Sequence, residues 1–348
     1  MISLTDIQQA RSRLDGVAVR TPLIPLECDD QSDSRQDRAR TGHFQQGLSD
    51  RPDEGVRAST VAVHTLYLKP ENLQPIGAFK IRGAYNKIAS LTDKERARGV
   101  ITYSSGNHAQ GVAYAARALD TKAVIVMPRN APAVKRDATV ALGAEVVYVG
   151  PSGVERQLKA EELAAEHGYV MIPPYDDEQI IAGQGTAGLE IVEDLPDVDL
   201  VLVPVGGGGL ISGVSTAIKS LRPNAKVIGV EPEVAGDAQA SLRAGHIVKF
   251  PAEQVLSTSA DGLRAMYIGN ITFEHIRRYV DDIVTVSEDD ITKTVKILAK
   301  NPKTLAEPSG AVAPAAWLFH RDVLPESKAT VAVISGGNID PELLQRLR

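Results

Sequence analysis

The sequence is short of several features that would otherwise narrow its reading. It carries a single cysteine, Cys28, among 348 residues. A disulfide framework and a multi-cysteine metal centre are therefore excluded within the chain. Aromatic residues make up only 4%, and the longest apolar runs, such as Val201-Leu202-Val203-Pro204-Val205, have the length of a strand. A membrane span needs about 20 such residues. Neither sign of charge dominates: the net charge is −6, and lysine and arginine are scattered rather than striped. That distribution offers no nucleic-acid surface. The N-terminus lacks the apolar centre of a signal peptide. Ile7, Ala10, Leu14 and Val17 instead recur at helical spacing behind a capping residue, so a cytoplasmic protein is expected. Also missing are a Ser-His-Asp motif, a His-Glu-x-x-His helix and a Walker loop.

The remaining composition, 43% hydrophobic and 24% charged, is that of a globular protein, and the length implies two domains or one large layered domain. Short, β-branched, nearly continuous apolar runs at 99–102, 123–127, 145–149, 200–205, 227–230 and 330–334 alternate with helical segments at 111–119, 133–142, 154–166 and 209–221. This is the pattern of an α/β protein with parallel strands covered on both faces. Ligand sites are then expected at the carboxyl ends of the strands. Residues 29–60 break the alternation. They are crowded with Asp and Arg and hold few large apolar groups, and are read as a mobile surface insertion.

Four stretches carry chemistry. Gly77-Ala78-Phe79-Lys80-Ile81-Arg82-Gly83-Ala84 sets a lysine among small residues with no acidic neighbour. Burial there would lower its pKa and free the amine as a nucleophile toward a carbonyl; the competing reading is the solvated start of a surface helix. Gly206-Gly207-Gly208-Gly209 follows a strand and opens a helix, which makes a cradle for a phosphate or carboxylate. Ser104-Ser105-Gly106-Asn107-His108 also joins strand to helix and either holds a carboxylate or merely caps the helix. Ser335-Gly336-Gly337-Asn338 is a third glycine exit. By spacing alone Glu231 and Asp237 read as solvated carboxylates, and the lone His108 as structural.

Together with Lys69-Pro-Glu-Asn-Leu-Gln-Pro, Ile181-Ala-Gly-Gln-Gly-Thr186 and Ala260-Asp-Gly262, these stretches resemble the fold-type II pyridoxal-phosphate enzymes, specifically the threonine/serine dehydratase and serine racemase group. The resemblance runs from about Thr21 to Asn338. It implies two doubly wound parallel-sheet domains of the tryptophan synthase β type with the active site between them. The large domain would comprise 1–98 and 177–348, and the small one 99–176. It further implies that Lys80 holds the cofactor and Phe79 flanks its ring, that Asn107 meets the phenolic oxygen, that Gly206, Gly207, Gly208 and Gly209 bind the phosphate, and that Ser335 meets the pyridine nitrogen. Ser104, Ser105, Asn107 and His108 would take the substrate carboxylate, with Arg156 as a further substrate contact. Ser105 would act on the α-carbon from the face opposite Lys80. Glu231, the Ala235 carbonyl and Asp237 match a divalent-cation site for Mg²⁺, or for Ca²⁺ or Mn²⁺. The expected reaction is dehydration and deamination of a β-hydroxy amino acid such as L-threonine or L-serine, with serine racemisation or a hydroxyaspartate or phenylserine substrate as the alternatives. A homodimer is expected from the same group. Because the sequence stops at Arg348, no C-terminal regulatory domain and no isoleucine feedback through one are expected.

Overall fold

The computed structural model describes residues 1–26, 65–104, 106–131, 133–150 and 153–347. Cys28, the 29–60 stretch and Ser105 lie outside the described residues. Ten strands form two sheets: β1 (Ile24–Leu26), β2 (Thr65–Pro70), β3 (Val100–Tyr103), β4 (Ala123–Pro128), β5 (Glu145–Val149), β6 (Val170–Met171), β7 (Leu200–Pro204), β8 (Lys226–Pro232), β9 (Asp282–Val286) and β10 (Ala329–Ile334). The larger sheet has the order β1-β2-β10-β7-β8-β9 and the smaller β5-β4-β3-β6. Every pairing is parallel except β1 with β2.

The helices are α1 (Leu4–Leu14), α2 (Lys80–Ala89), α3 (Asp93–Arg98), α4 (Asn107–Ala118), α5 (Ala133–Ala141), α6 (Gly153–His167), α7 (Glu178–Asp194), α8 (Gly209–Leu221), α9 (Asp237–Ala244), α10 (Ala252–Val255), α11 (Asn270–Tyr279), α12 (Glu288–Leu298), α13 (Pro308–Phe319) and α14 (Pro341–Leu347). No helix of the described residues is long and apolar enough to cross a membrane. The first helix starts where the sequence places it, with a capping box in which Ser3 and Asp6 satisfy each other's amides.

Both faces of the larger sheet are covered. One buries Leu66, Leu202, Val230 and Ile334 against α12 and α13; the other buries Val201, Val203, Val227 and Val331 against α8 and α11. Strands β4 and β7 are fully buried, as their unbroken apolar runs predict. Edge strand β5 differs: Glu145 and Tyr148 are exposed and none of its residues is fully buried, so the expectation of a strand covered on both faces does not hold there.

The position of α2 is set by backbone contact. A Cβ on Gly83 would lie 2.8 Å from the Ile180 carbonyl of α7, one on Gly183 would strike the Arg82 carbonyl, and one on Gly111 of α4 would lie 3.2 Å from the Lys80 backbone. Glycines on three helices thus bring the first turn of α2 close to its neighbours. The entry to α2 is also tied to the end of the larger sheet, since Phe79 N–H donates to the Ser335 carbonyl at 3.0 Å and Ala78 bridges Gly336.

Candidate functional site

A cavity of about 510 Å³ opens at the carboxyl ends of the strands, between the two sheets. Phe79, Lys80, Ser104, Asn107, His108, Arg156, the four glycines 206–209 and Ser335 all line it. Residues from three separate strand exits and from the start of α6 therefore share one space. The surface-helix reading of Lys80 is corrected: it does begin a helix, but its side chain is interior.

The Lys80 ammonium donates to the Pro174 carbonyl at 2.6 Å and lies 5.2 Å from the centroid of the Phe79 ring. The first turn of α2 holds no acidic residue. Burial alone pulls the Lys80 amine down to about 8. His108 is also buried, with Nε2 at 3.0 Å from the Ile172 carbonyl. Burial first, and then the charge of Lys80, pull His108 down to about 3, against the Ile172 contact. The ring is neutral at physiological pH, and Nε2 carries the hydrogen.

The tetraglycine turn joins β7 to the 13-residue helix α8, with Gly208 at φ +93° in the left-handed region. Thr272 Oγ1 donates to the Gly207 carbonyl at 2.9 Å, which fixes the turn. A Cβ on Gly207 would run into the Tyr175 ring. Side-chain-free backbone at the start of a long helix presents amide N–H groups and a partial positive charge, the arrangement a phosphate needs. Ser335, at the exit of β10, is buried and its hydroxyl donates to the Ser309 carbonyl at 3.3 Å. Ser104 does not cap α4; its hydroxyl accepts from the Gly106 amide at 3.3 Å, and Gly106 is the capping residue.

Four contributors to the cavity have no role in the sequence reading, Asp261 among them although it lies in the Ala260-Asp-Gly262 stretch. Lys135 of α5 crosses the cavity to Asp261 Oδ2 at 2.7 Å and Glu307 Oε2 at 3.0 Å. Glu307 also accepts from Asn107 Nδ2, while Asn107 Oδ1 accepts from Asn338 at 2.9 Å. Burial disfavours both charges of the Lys135–Glu307 pair. Glu307 is raised by burial despite Lys135, whereas Lys135 is raised overall because its two carboxylates outweigh burial. The fourth is Tyr175, on the return from the smaller sheet. Next to it, Asp176 accepts the amides of Asn270, Ile271 and Thr272 at the start of α11.

Glu231, Ala235 and Asp237 sit apart from this cavity, at the end of β8 and the start of α9. The solvated reading is corrected, since both carboxylates have no exposed surface. Glu231 accepts the amides of Ala238 at 3.0 Å and Gln239 at 2.8 Å. Neither oxygen of Asp237 meets a donor in good hydrogen-bond geometry. Burial, reinforced by Asp237, raises Glu231 well above its ordinary value, and burial pushes Asp237 up to about 7. Two buried carboxylates and a nearby carbonyl offer hard oxygen donors, which fit a divalent cation of the Mg²⁺ or Ca²⁺ type. Among the described residues no group of three or more His, Cys, Asp or Glu is placed to hold a metal.

A family model described as pyridoxal-phosphate dependent enzyme matches residues 56–336. An L-threonine ammonia-lyase of Thermotoga maritima is 44% identical over 347 residues, 100% of this chain and 78% of that protein. An L-threo-3-hydroxyaspartate ammonia-lyase of Saccharomyces cerevisiae is 44% identical over 275 residues, 79% of this chain and 83% of that protein. The structure of maize serine racemase superposes with a TM-score of 0.85 at 34% identity, covering 99% of this chain and 96% of that one.

Proposed function

The chain belongs to the family of pyridoxal-phosphate-dependent enzymes, and on that premise we propose that it removes water and then ammonia from a small β-hydroxy amino acid, L-threonine or L-serine. The observation that carries this reading is a buried, carboxylate-free lysine sharing one cavity with a tetraglycine phosphate cradle and the Ser335 hydroxyl. The residues present fit the cofactor: Lys80 offers an amine for its aldehyde, glycines 206–209 offer amides for its phosphate, and Asn107 and Ser335 offer polar groups for its ring. When bound, pyridoxal phosphate supplies the sink for the electron pair left at the substrate α-carbon.

The chain's own groups account for the rest. An amine pulled down to about 8 is in part unprotonated near neutral pH, so Lys80 Nζ would hold the cofactor through its aldehyde and, as the free amine, could take the substrate α-proton. His108 stays neutral and does not compete for that proton. Ser335 contributes a hydroxyl in place of a carboxylate. It would hold a proton on the ring nitrogen of the bound cofactor less firmly than a carboxylate does, which would favour loss of the β-hydroxyl over transamination. Water leaves, water returns as the enamine hydrolyses, and ammonia and a 2-oxo acid are the net products. The loop at Ser104, Ser105, Asn107 and His108 precedes and opens α4, and its helix N-terminus suits the substrate carboxylate; Arg156 supplies a second cationic contact.

The test pairs visible absorbance with 2-oxo acid release for wild type and Lys80→Ala. A cofactor band and turnover in the wild type, both lost in the variant, are expected; normal turnover by Lys80→Ala would sink the assignment. Likeness to maize serine racemase supports a second activity, racemisation with Ser105 as the opposing acid–base group. Chiral analysis of serine after incubation decides it, because absence of D-serine leaves only the lyase. The Thermotoga and yeast relatives make threonine and hydroxyaspartate the first substrates to compare. A divalent cation at Glu231, Ala235 and Asp237, domain boundaries at 99 and 176, a homodimer and a cytoplasmic setting complete the proposal. The homodimer rests on family resemblance.

A further inference from the structure

Beneath α2, on the side away from the cavity, lies a cluster of four buried charges. Arg82 Nε and Nη2 donate to the two oxygens of Glu71 at 2.7 and 2.8 Å, and its Nη1 and Nη2 donate to those of Glu190 at 2.7 and 2.8 Å. Lys69 Nζ donates to Glu190 Oε2 and to the Thr21 carbonyl, both at 2.6 Å. Thr21 and Gln74 donate to Glu71, and Thr186 accepts a further bond from Arg82. Two cations and two carboxylates balance. Lys69, Glu71 and Arg82 are at most 1% exposed, so this is an interior network and not a rim of surface pairs.

The network serves no packing need that apolar residues could not meet, since buried ion pairs are often replaceable without loss of stability. Its place gives it a use. Arg82 follows Lys80 by two residues in the first turn of α2, so the two side chains leave the helix on opposite sides, about 10 Å apart. The anchors come from separate elements: Glu71 follows β2, Lys69 lies in β2 and Glu190 lies in α7. Resting on the proposed lyase reading, we propose that Arg82 is a positioning residue for the Lys80 amine. Forked between Glu71 and Glu190, it pins the first turn of α2 and, together with Lys69, balances both carboxylates, so that Lys80 meets no net charge from below. On the cavity side Lys80 shares its space with neutral His108, with Ser335 and the rings of Tyr103, Tyr175 and Tyr267, with Lys135 bridging both Asp261 and Glu307, and with Arg156 and Arg264. Asp177, at the start of α7, is paired with Lys87 at 2.7 Å.

The sign of the effect provides the test. Arg82→Gln leaves the network with a net negative charge, and Glu190→Gln leaves it with a net positive one. In the full chain stripped of pyridoxal phosphate, acetylation of Lys80 is followed against pH and quantified on its peptide by mass spectrometry. The labelling midpoint should rise by about one unit in Arg82→Gln and fall by a similar amount in Glu190→Gln, the size expected for a unit charge across a helix at an effective dielectric of about 20. A purely stabilising network would lower the melting temperature of both variants and leave both midpoints in place, which overturns the proposal; so does a shift of the same sign in both. If Arg82→Gln does not fold, Glu190→Gln decides alone, and an unchanged or raised midpoint refutes the role. Amino acid elimination is assayed in parallel on the loaded proteins. A wild type with no lyase activity overturns the functional reading, whereas the labelling result stands or falls by itself.

Discussion

Replacing Lys135 by methionine is the sharpest test of how the cavity is held together. The substitution keeps the aliphatic stem and removes the ammonium that bridges Asp261 and Glu307. Asp261 is 30% exposed and can be hydrated, but Glu307 is 1% exposed and cannot. Removing one partner of a buried pair costs about 3–5 kcal/mol, most of it the penalty of an uncompensated charge. At about 2 °C per kcal/mol for a chain of this size, the melting temperature should fall by about 6–10 °C. The deficit should depend on pH. Burial raises the folded-state pKa of Glu307 above its ordinary 4.5, so the fold accepts the neutral acid, the penalty is absent below about pH 4.5, and it grows as the pH rises through the folded value. Scanning calorimetry at pH 5 and pH 8 should find the larger loss at pH 8. A second substitution, Glu307→Gln, removes the stranded charge while keeping an acceptor for Asn107, and should recover most of the loss. A Lys135→Met melting point within 2 °C of wild type at pH 8, or a Glu307→Gln change that deepens the deficit, would refute the reasoning.

Other expectations follow from the same geometry. Chelation should lower the melting temperature and added Mg²⁺ or Ca²⁺ restore it, with the response abolished in Glu231→Gln/Asp237→Asn; calorimetry with and without a chelator checks this. Gly207→Ala drives a methyl into the Tyr175 ring and should weaken pyridoxal phosphate uptake by about 5- to 150-fold in an absorbance titration, given that core overpacking costs about 1–3 kcal/mol. Gly208→Ala must hold φ +93° and should cost about 1–2 kcal/mol in denaturant unfolding. Because His108 is pulled down to about 3, the pH–rate curve between 5 and 8 should show no limb from it, and His108→Gln should leave the shape of that curve unchanged.

What could be read in advance divides along physical lines. Helix α8 and strand β5 match the expected boundaries residue for residue, since a glycine turn and a short β-branched run are local signals. Helix α4 begins at Asn107 instead of at 111, because Ser-Gly-Asn looks like a turn until the Gly106 amide is seen to be satisfied by Ser104. Strands β1, β2, β6 and β9 are not among the strands expected from the sequence: β1 and β6 have three and two residues, β2 mixes Thr65, Lys69 and Pro70 into its run, and β9 carries polar Asp282 and Thr285 within its run. Glu231 and Asp237 look solvated as a string of letters and are interior only because β8 sits inside the sheet. Lys135, Asp261 and Glu307 meet across 126 residues and more of chain, and Asn107 and Glu307 across 200. No local pattern encodes such a meeting, and none flagged Tyr175.

The contact between Lys80 and the Pro174 carbonyl has one further consequence. A carboxylate partner would hold the charged lysine more tightly than the neutral amine and so oppose loss of its proton. An amide carbonyl accepts from an amine as it does from an ammonium. The nitrogen can therefore give up its proton and keep its aim, so the side chain has a resting direction that does not depend on its protonation state. That carbonyl belongs to the segment returning from the smaller sheet, whose next residues pack on Gly207 and cap α11 and α7. The nucleophile is thus oriented by the same stretch of backbone that joins the two halves of the molecule.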